Sequence, residues 1–458
     1  MNPHTSHLNK ANSKWHGMAM LYSAYLYQTI NLLVVILMVP LILRYLDVSR
    51  YVLWSIFTTF GGITLQLESA IQIVSVREIA KEYHSGNVAS LQNAIQKAKV
   101  NYMILSACVL VPFLVLGLLY LNYVVSEKLG NTGNIEWLIF ISAYALNYYF
   151  AINNSILLSM VYVTRYNNIN TLTRCINFIC TYLLLKLGFS VMGLSLSFAF
   201  SVVISVALMS RAAKKCLDNY YASQAAHIQS NTKYEYANSS TSVKYTFYMF
   251  SSFVLYKGGF LIATMIFPKD IIGAYGLTLQ ANTVLSTFAL VLPSQVWLHR
   301  LVRAVTSGNR QKMFHVFALG AVAANTIFIA GVILLALFGN KLLVLIHSKV
   351  MFVGNMNLLL ICFAFLVELN IFLLVNFLVV MRNYKFIKIY VSTSLISAVF
   401  AFLLTWATQS SIATLIIVPL GLQVFLSLPL IFRVTSHELA ITPKVFLSQL
   451  SRFIWLSK

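Results

Sequence analysis

Residues Tyr51–Lys81 read YVLWSIFTTF GGITLQLESA IQIVSVREIA K. From Tyr51 to Val76 the one charged side chain is Glu68. A stretch of this kind is longer than the roughly 20 apolar residues that carry a helix through a hydrocarbon core. Lipid offers the backbone no hydrogen-bond partners, so a segment crossing it must be helical. Within that helix Thr64, Glu68, Gln72 and Ser75 recur at i, i+4, i+8 and i+11, which places four polar groups on one face. Such a face is unstable against lipid and is expected to look into a cavity or onto another helix. The alternative, that Glu68 only ties helices together, stays open.

The rest of the chain has the same character. Its 458 residues are 59% hydrophobic and only 9% charged, with a mean hydropathy of +0.79, whereas a soluble domain carries about 25% charged residues. Twelve spans are expected, at about 17–43, 51–76, 101–125, 136–161, 169–187, 191–210, 245–267, 271–297, 313–338, 354–381, 386–407 and 411–432. The fifth and sixth are the tightest fit. The fold class that follows is all-α and polytopic, with about twelve transmembrane helices in two six-helix bundles around a central cavity. Residues 1–210 form the first bundle, 211–244 a polar, basic cytoplasmic linker, and 245–458 the second bundle with a cytoplasmic tail.

A net charge of +21 invites thoughts of nucleic acid. No run of five basic residues occurs, however, and the positive-inside rule accounts for the charge. With both termini on one side, 24 Lys and Arg residues fall there, Arg165 and Arg174 among them. Seven fall on the other: Arg44, Arg50, Lys128, Lys186, Lys269, Lys341 and Lys349. Both termini are therefore expected in the cytoplasm. The first apolar stretch is too long for a removable signal peptide and lacks its small-residue cleavage site. The cysteines Cys108, Cys175, Cys180, Cys216 and Cys362 make no CxxC or metal-type cluster, so neither a disulfide nor zinc is indicated.

Two turns hint at an internal duplication. His84-Ser85-Gly86-Asn87 follows the second span, and Thr306-Ser307-Gly308-Asn309 follows the eighth. Repeats of six helices are parallel, an arrangement found among secondary transporters.

Charges inside the hydrocarbon are costly unless paired or hydrated, and three stand out: Glu68, Lys257 and Glu368. Lys257 precedes Gly258-Gly259, which lets another helix or a ligand approach closely; it reads as a site for an anion or as the partner of an acid. Glu368, followed by Asn370, has a mostly apolar face. Amides, hydroxyls and tyrosines also collect in particular spans: Tyr25, Gln28, Thr29 and Asn31; Tyr144, Asn147, Tyr148, Asn153 and Asn154; Gln280, Asn282, Thr283, Ser286 and Thr287. Together they suit a sugar, although interhelical hydrogen bonding and aromatic belts explain many of them as well. Pro40, Pro112, Pro293 and Pro419 lie within spans as possible bending points. No Walker A motif and no large outer loop with acids, bases or metal ligands is present. An enzyme is therefore not expected, and neither is a cofactor or a metal.

Three pieces of the second span resemble bacterial O-antigen and polysaccharide flippases of the multidrug/oligosaccharidyl-lipid/polysaccharide exporter superfamily. They are Tyr51-Val52-Leu53-Trp54-Ser55, Leu67-Glu68-Ser69 and Val76-Arg77-Glu78-Ile79-Ala80-Lys81. This chain has Val52 where the family has glycine, Glu68 for aspartate, and Ile71 where glycine is frequent. The resemblance implies two six-helix bundles about a V-shaped cavity, and ion-coupled alternating access in a bacterial inner membrane. It also implies a lipid-linked oligosaccharide as substrate, with other polysaccharide-assembly membrane proteins as partners and no nucleic acid. Carried onto this chain, Lys257 attracts the substrate's diphosphate, while Arg44 and Arg50 receive it at the outer side. Tyr25, Gln28, Asn147 and Asn282 meet the sugars, and Glu68 and Glu368 couple an ion. A multidrug or small-cation exporter of the same architecture is the nearest alternative, and a membrane-embedded polysaccharide polymerase a more distant one.

Overall fold

The computed structural model describes residues 3–125, 133–160, 162–224, 240–293, 297, 301, 304–305, 310–345, 347–381, 383–408 and 411–438. Among these residues the regular structure is entirely helical. The helices are α1 (Pro3–Tyr45), α2 (Val48–Ser85), α3 (Val88–Tyr120), α4 (Asn134–Phe150), α5 (Ile152–Ser159), α6 (Val163–Lys186) and α7 (Ser190–Gln224). They continue as α8 (Ser240–Ile266), α9 (Lys269–Leu292), α10 (Arg310–Leu345), α11 (Asn355–Val380), α12 (Phe386–Thr408), α13 (Ala413–Leu422) and α14 (Leu428–Glu438). The pair α4–α5 makes one span, Asn134–Ser159, and α13–α14 another, Ala413–Glu438. Twelve helical segments therefore stand where twelve spans are expected. Eight are long and apolar enough to cross a membrane on those grounds alone, and α8 adds a ninth as a bent pair. The chain is a multi-pass membrane protein.

Local chemistry sets several boundaries. Asp47 starts α2 by accepting the Arg50 backbone N–H at 2.8 Å, satisfying one of the orphan donors of a first helical turn. Gly86, at φ 72°, ends α2 in the left-handed region, where glycine alone is free of Cβ strain. Asn87 then caps α3 by accepting from the Ser90 N–H at 3.1 Å. The Ser-Gly-Asn turn is thus a helix stop followed by a helix start. Its counterpart, Thr306–Asn309, lies outside the described residues.

Two extents differ from expectation. Helix α7 continues to Gln224 and α8 begins at Ser240, so the segment 211–244 is helical at both ends, and 225–239 lies outside the described residues. Helix α6 begins at Val163. Arg174 accordingly lies within the helix, about 17 Å along α6 at 1.5 Å per residue.

The chain divides into two units. Met1–Leu46 and Ile56–Thr246 form the N-terminal one, and Asp47–Ser55 and Phe247–Lys458 the C-terminal one. In the N-terminal unit α6 packs on α1 and α7, and α4 packs on α3 and α7. Fully buried Trp137 anchors its core, with Phe57 at 5.2 Å and Phe60 at 5.4 Å between ring centroids, both edge-on. Each such pair contributes about 0.5–1.5 kcal/mol beyond area burial. In the C-terminal unit α9 packs on α10 and α11, and α11 on α13 and α14. Asp47–Ser55 belongs there because Val48 and Val52 lie against Gly273, and the Tyr51 hydroxyl donates to Gln280 Oε1 at 3.3 Å.

Close approach at Trp137 makes a stability prediction. A Cβ on Gly117 would overlap the indole ring, and overpacking of this kind costs about 1–3 kcal/mol. Gly117→Ala is expected to lower the thermal midpoint of the detergent-solubilised protein. Gly62→Ala, where a Cβ meets nothing within 4 Å, is expected to leave it unchanged.

Candidate functional site

In the N-terminal unit the polar face of α2 turns onto a group of tyrosines. Thr64 has no exposed surface; its hydroxyl donates to the Gly61 carbonyl at 2.7 Å and accepts from the Tyr148 hydroxyl at 2.6 Å. One turn on, Glu68 is buried within electrostatic reach of Tyr102, Tyr144, Tyr148 and Tyr166. Gln72 and Asn170 lie near Tyr166, and Ser75 near Tyr102, whose hydroxyl is 2.8 Å from Ser155 Oγ. The stripe read from the sequence therefore faces helices α3, α4 and α6 rather than lipid. Glu68 forms no ion pair among the described residues. Glu68 is thus a buried carboxylate with tyrosines around it and no cation fixed to it among the described residues.

The C-terminal unit holds the other two intramembrane charges in contrasting settings. Helix α8 bends by 45° between Phe247–Leu255 and Lys257–Ile266, next to Gly258-Gly259, a common cause of kinks. Lys257 opens the second segment, half-buried, with Nζ 3.5 Å from Thr283 Oγ1 on α9. It forms no ion pair among the described residues. Glu368 on α11 is tied at both oxygens: the Tyr390 hydroxyl donates at 2.7 Å and Gln423 Nε2 at 2.8 Å. Gln423 opens a π turn, Gln423–Ser427, and Thr393 and Ser427 pair at 2.7 Å beside it. Glu368 thus binds α11, α12 and the α13–α14 junction together.

The remaining candidates are scattered. Asn282 is completely buried, its amide donating to the Thr278 carbonyl of its own helix at 3.0 Å. It meets no ligand in this conformation. Gln28 and Asn147 are half-buried on α1 and α4, and Tyr25 is exposed beside Tyr22 and Leu26. Arg44 and Arg50 are exposed, in the last turn of α1 and the first turn of α2; as cations, Arg44 suits a helix C-terminus and Arg50 does not. Among the described residues no group of three His, Cys, Asp or Glu side chains could hold a metal. Sequence reasoning missed the tyrosine ring, because Tyr102 and Tyr166 join it only through packing. It also missed Arg174, whose helical spacing with Asn167, Asn170 and Asn177 was the available signal.

Solved structures supply the comparison. An inward-facing multidrug-resistance MATE family transporter of the MOP superfamily superposes with a TM-score of 0.70 at 12% identity, covering 92% of this chain and 98% of that one. The outward-facing form of such a transporter gives 0.59 at 14% identity, with 92% and 95% covered. The MATE transporter ClbM in complex with Rb+ gives 0.55 at 13%, with 94% of each chain covered. No family model and no curated protein matches the sequence. At these identities the likeness establishes the fold: the chain is built as MATE transporters of the MOP superfamily are built.

The two acids make opposite predictions for stability. Removing Glu368 strands the Tyr390 hydroxyl and the Gln423 amide, at about 1–3 kcal/mol for buried groups left without partners. Removing Glu68 strands no hydrogen bond among the described residues and relieves a buried charge. Glu368→Ala is expected to lower the thermal midpoint in detergent, and Glu68→Ala to leave it unchanged or raise it.

Proposed function

We propose that the chain is a membrane transporter working by ion-coupled alternating access, and that its substrate is an oligosaccharide linked through diphosphate to a polyprenyl lipid. The observation that carries the anionic substrate is Lys257: an intramembrane cation with no acid beside it among the described residues, in a chain with the MATE fold. An ammonium held there needs a counter-charge, and an anionic ligand supplies one. Glu68 is the coupling group of this reading, since its carboxylate has no fixed partner, and Glu368 is the second acid available to it. Arg44 and Arg50 accept the diphosphate at the outer side; Tyr25, Gln28 and Asn147 meet sugar hydroxyls, and Asn282 joins them only in another conformation. On this reading the protein sits in a bacterial inner membrane with both termini cytoplasmic, beside other polysaccharide-assembly membrane proteins.

A multidrug or small-cation exporter is the second reading. Supporting it are the multidrug transporters among the solved structures of this fold and the buried acid amid tyrosines, a setting suited to cations. Deletion of the gene separates the two. Loss of surface polysaccharide with lipid-linked units held on the cytoplasmic leaflet supports flipping. Drug hypersensitivity with normal polysaccharide supports export and contradicts the first reading.

Two substitutions probe the roles. Lys257→Ala is expected to abolish surface polysaccharide while the protein still inserts, and normal polysaccharide would remove Lys257 from the mechanism. Glu68→Gln is expected to uncouple transport from the ion gradient. Unchanged dependence of the rate on an imposed proton or sodium gradient would exclude the carboxylate from coupling.

A further inference from the structure

Helix α6 presents two opposed faces. Leu172, Ile179 and Leu183, at i, i+7 and i+11, are each exposed by half their surface or more and form the apolar side that a lipid-facing helix requires. About half a turn around the helix run Asn167, Asn170, Arg174, Asn177 and Thr181. This second side is directed into the N-terminal unit. Asn167 is buried and donates to Ser23 Oγ on α1 at 3.3 Å; Asn177 donates to Ser201 Oγ on α7 at 3.3 Å; Thr181 is buried. Asn170 lies near Tyr166.

Arg174 lies in the middle of that inward side, yet its side chain is exposed. It acts electrostatically on the buried Tyr144 of α4, the same tyrosine that Glu68 acts on. It forms no ion pair among the described residues. The exposed apolar residues of α6 lie on its opposite face. An exposed side chain on the inward face therefore opens onto a space that water can fill. Guanidinium is the side chain best matched to phosphate oxygens, because its planar fork donates two parallel hydrogen bonds.

We propose that Arg174 is an anion-binding group of the N-terminal unit and that it takes a phosphate oxygen of the transported lipid's diphosphate, with the Tyr144 side of α4 next to it. This rests on the lipid-diphosphate reading above and adds a residue which that reading, centred on Lys257, leaves without a role.

The test uses the purified full chain in nanodiscs of phosphatidylcholine, so that no anionic headgroup competes, with farnesyl diphosphate as the probe and farnesol as its neutral control. Wild type is expected to bind the diphosphate. Arg174→Ala is expected to weaken that binding about tenfold or more, as loss of a charge-assisted pair does. Arg174→Lys should recover part of the loss, since it keeps the charge without the fork, and farnesol binding should not change in any variant. Thermal midpoints matching wild type establish that the variants are folded. Equal diphosphate affinity in wild type and Arg174→Ala overturns this assignment and leaves the broader reading standing. No diphosphate binding by wild type overturns the broader reading itself. If phosphatidylglycerol in the nanodisc removes the Arg174-dependent part of the affinity, the group is a headgroup site and its assignment to substrate is overturned.

Discussion

Within a hydrocarbon layer a polar side chain has no water to fall back on, and each helix must be rotated so that its polar groups meet one another. That constraint organises both units. Helix α2 turns Thr64, Glu68, Gln72 and Ser75 onto the tyrosines of α3, α4 and α6. Helix α6 turns its asparagines toward α1 and α7. Helix α11 turns Glu368 onto Tyr390 and Gln423, and Asn370 onto Asn325 of α10 through two amide bonds of 2.9 Å. Individually such bonds are worth about 0.6 kcal/mol in a membrane. Their larger effect is to exclude alternative rotations, each of which would put a charge or an amide in lipid.

Within that frame the charged groups separate by how completely they are satisfied. Glu368 has a donor on each oxygen and holds α11, α12 and the α13–α14 junction together. Glu68, Lys257 and Arg174 lack a counter-ion among the described residues. On the function proposed above, ligands complete these pairs during a transport cycle. The bend in α8 beside Lys257 places that cation where the helix backbone is already interrupted.

Much of the fold was legible in the sequence, since twelve blocks of apolar residues coincide with twelve helical segments, including the crowded fifth and sixth. The rotation of α2 was legible too, because four polar residues at helical spacing admit only one inward face. Other features were hidden for physical reasons. The start of α6 at Val163 rather than near residue 169 was hidden because Val163–Asn170 resembles a loop in composition, while the helix packs against α1 and α7. The continuation of α7 to Gln224 has the same origin, as its last residues are polar and α-helical at once. The double hydrogen bond to Glu368 joins residues 22 and 55 positions apart, a relation that periodicity within one helix cannot reveal.

The account depends on α6 presenting Arg174 to water and Ile179 to lipid. Single nitroxide labels at positions 174 and 179, in the full chain reconstituted in nanodiscs, measure this through collision with a water-soluble nickel chelate and with oxygen. The label at 174 is predicted to collide mainly with the chelate, and the label at 179 mainly with oxygen. A label at 174 that meets oxygen as freely as the one at 179, and is shielded from the chelate, would contradict the inward-facing arrangement of the polar groups.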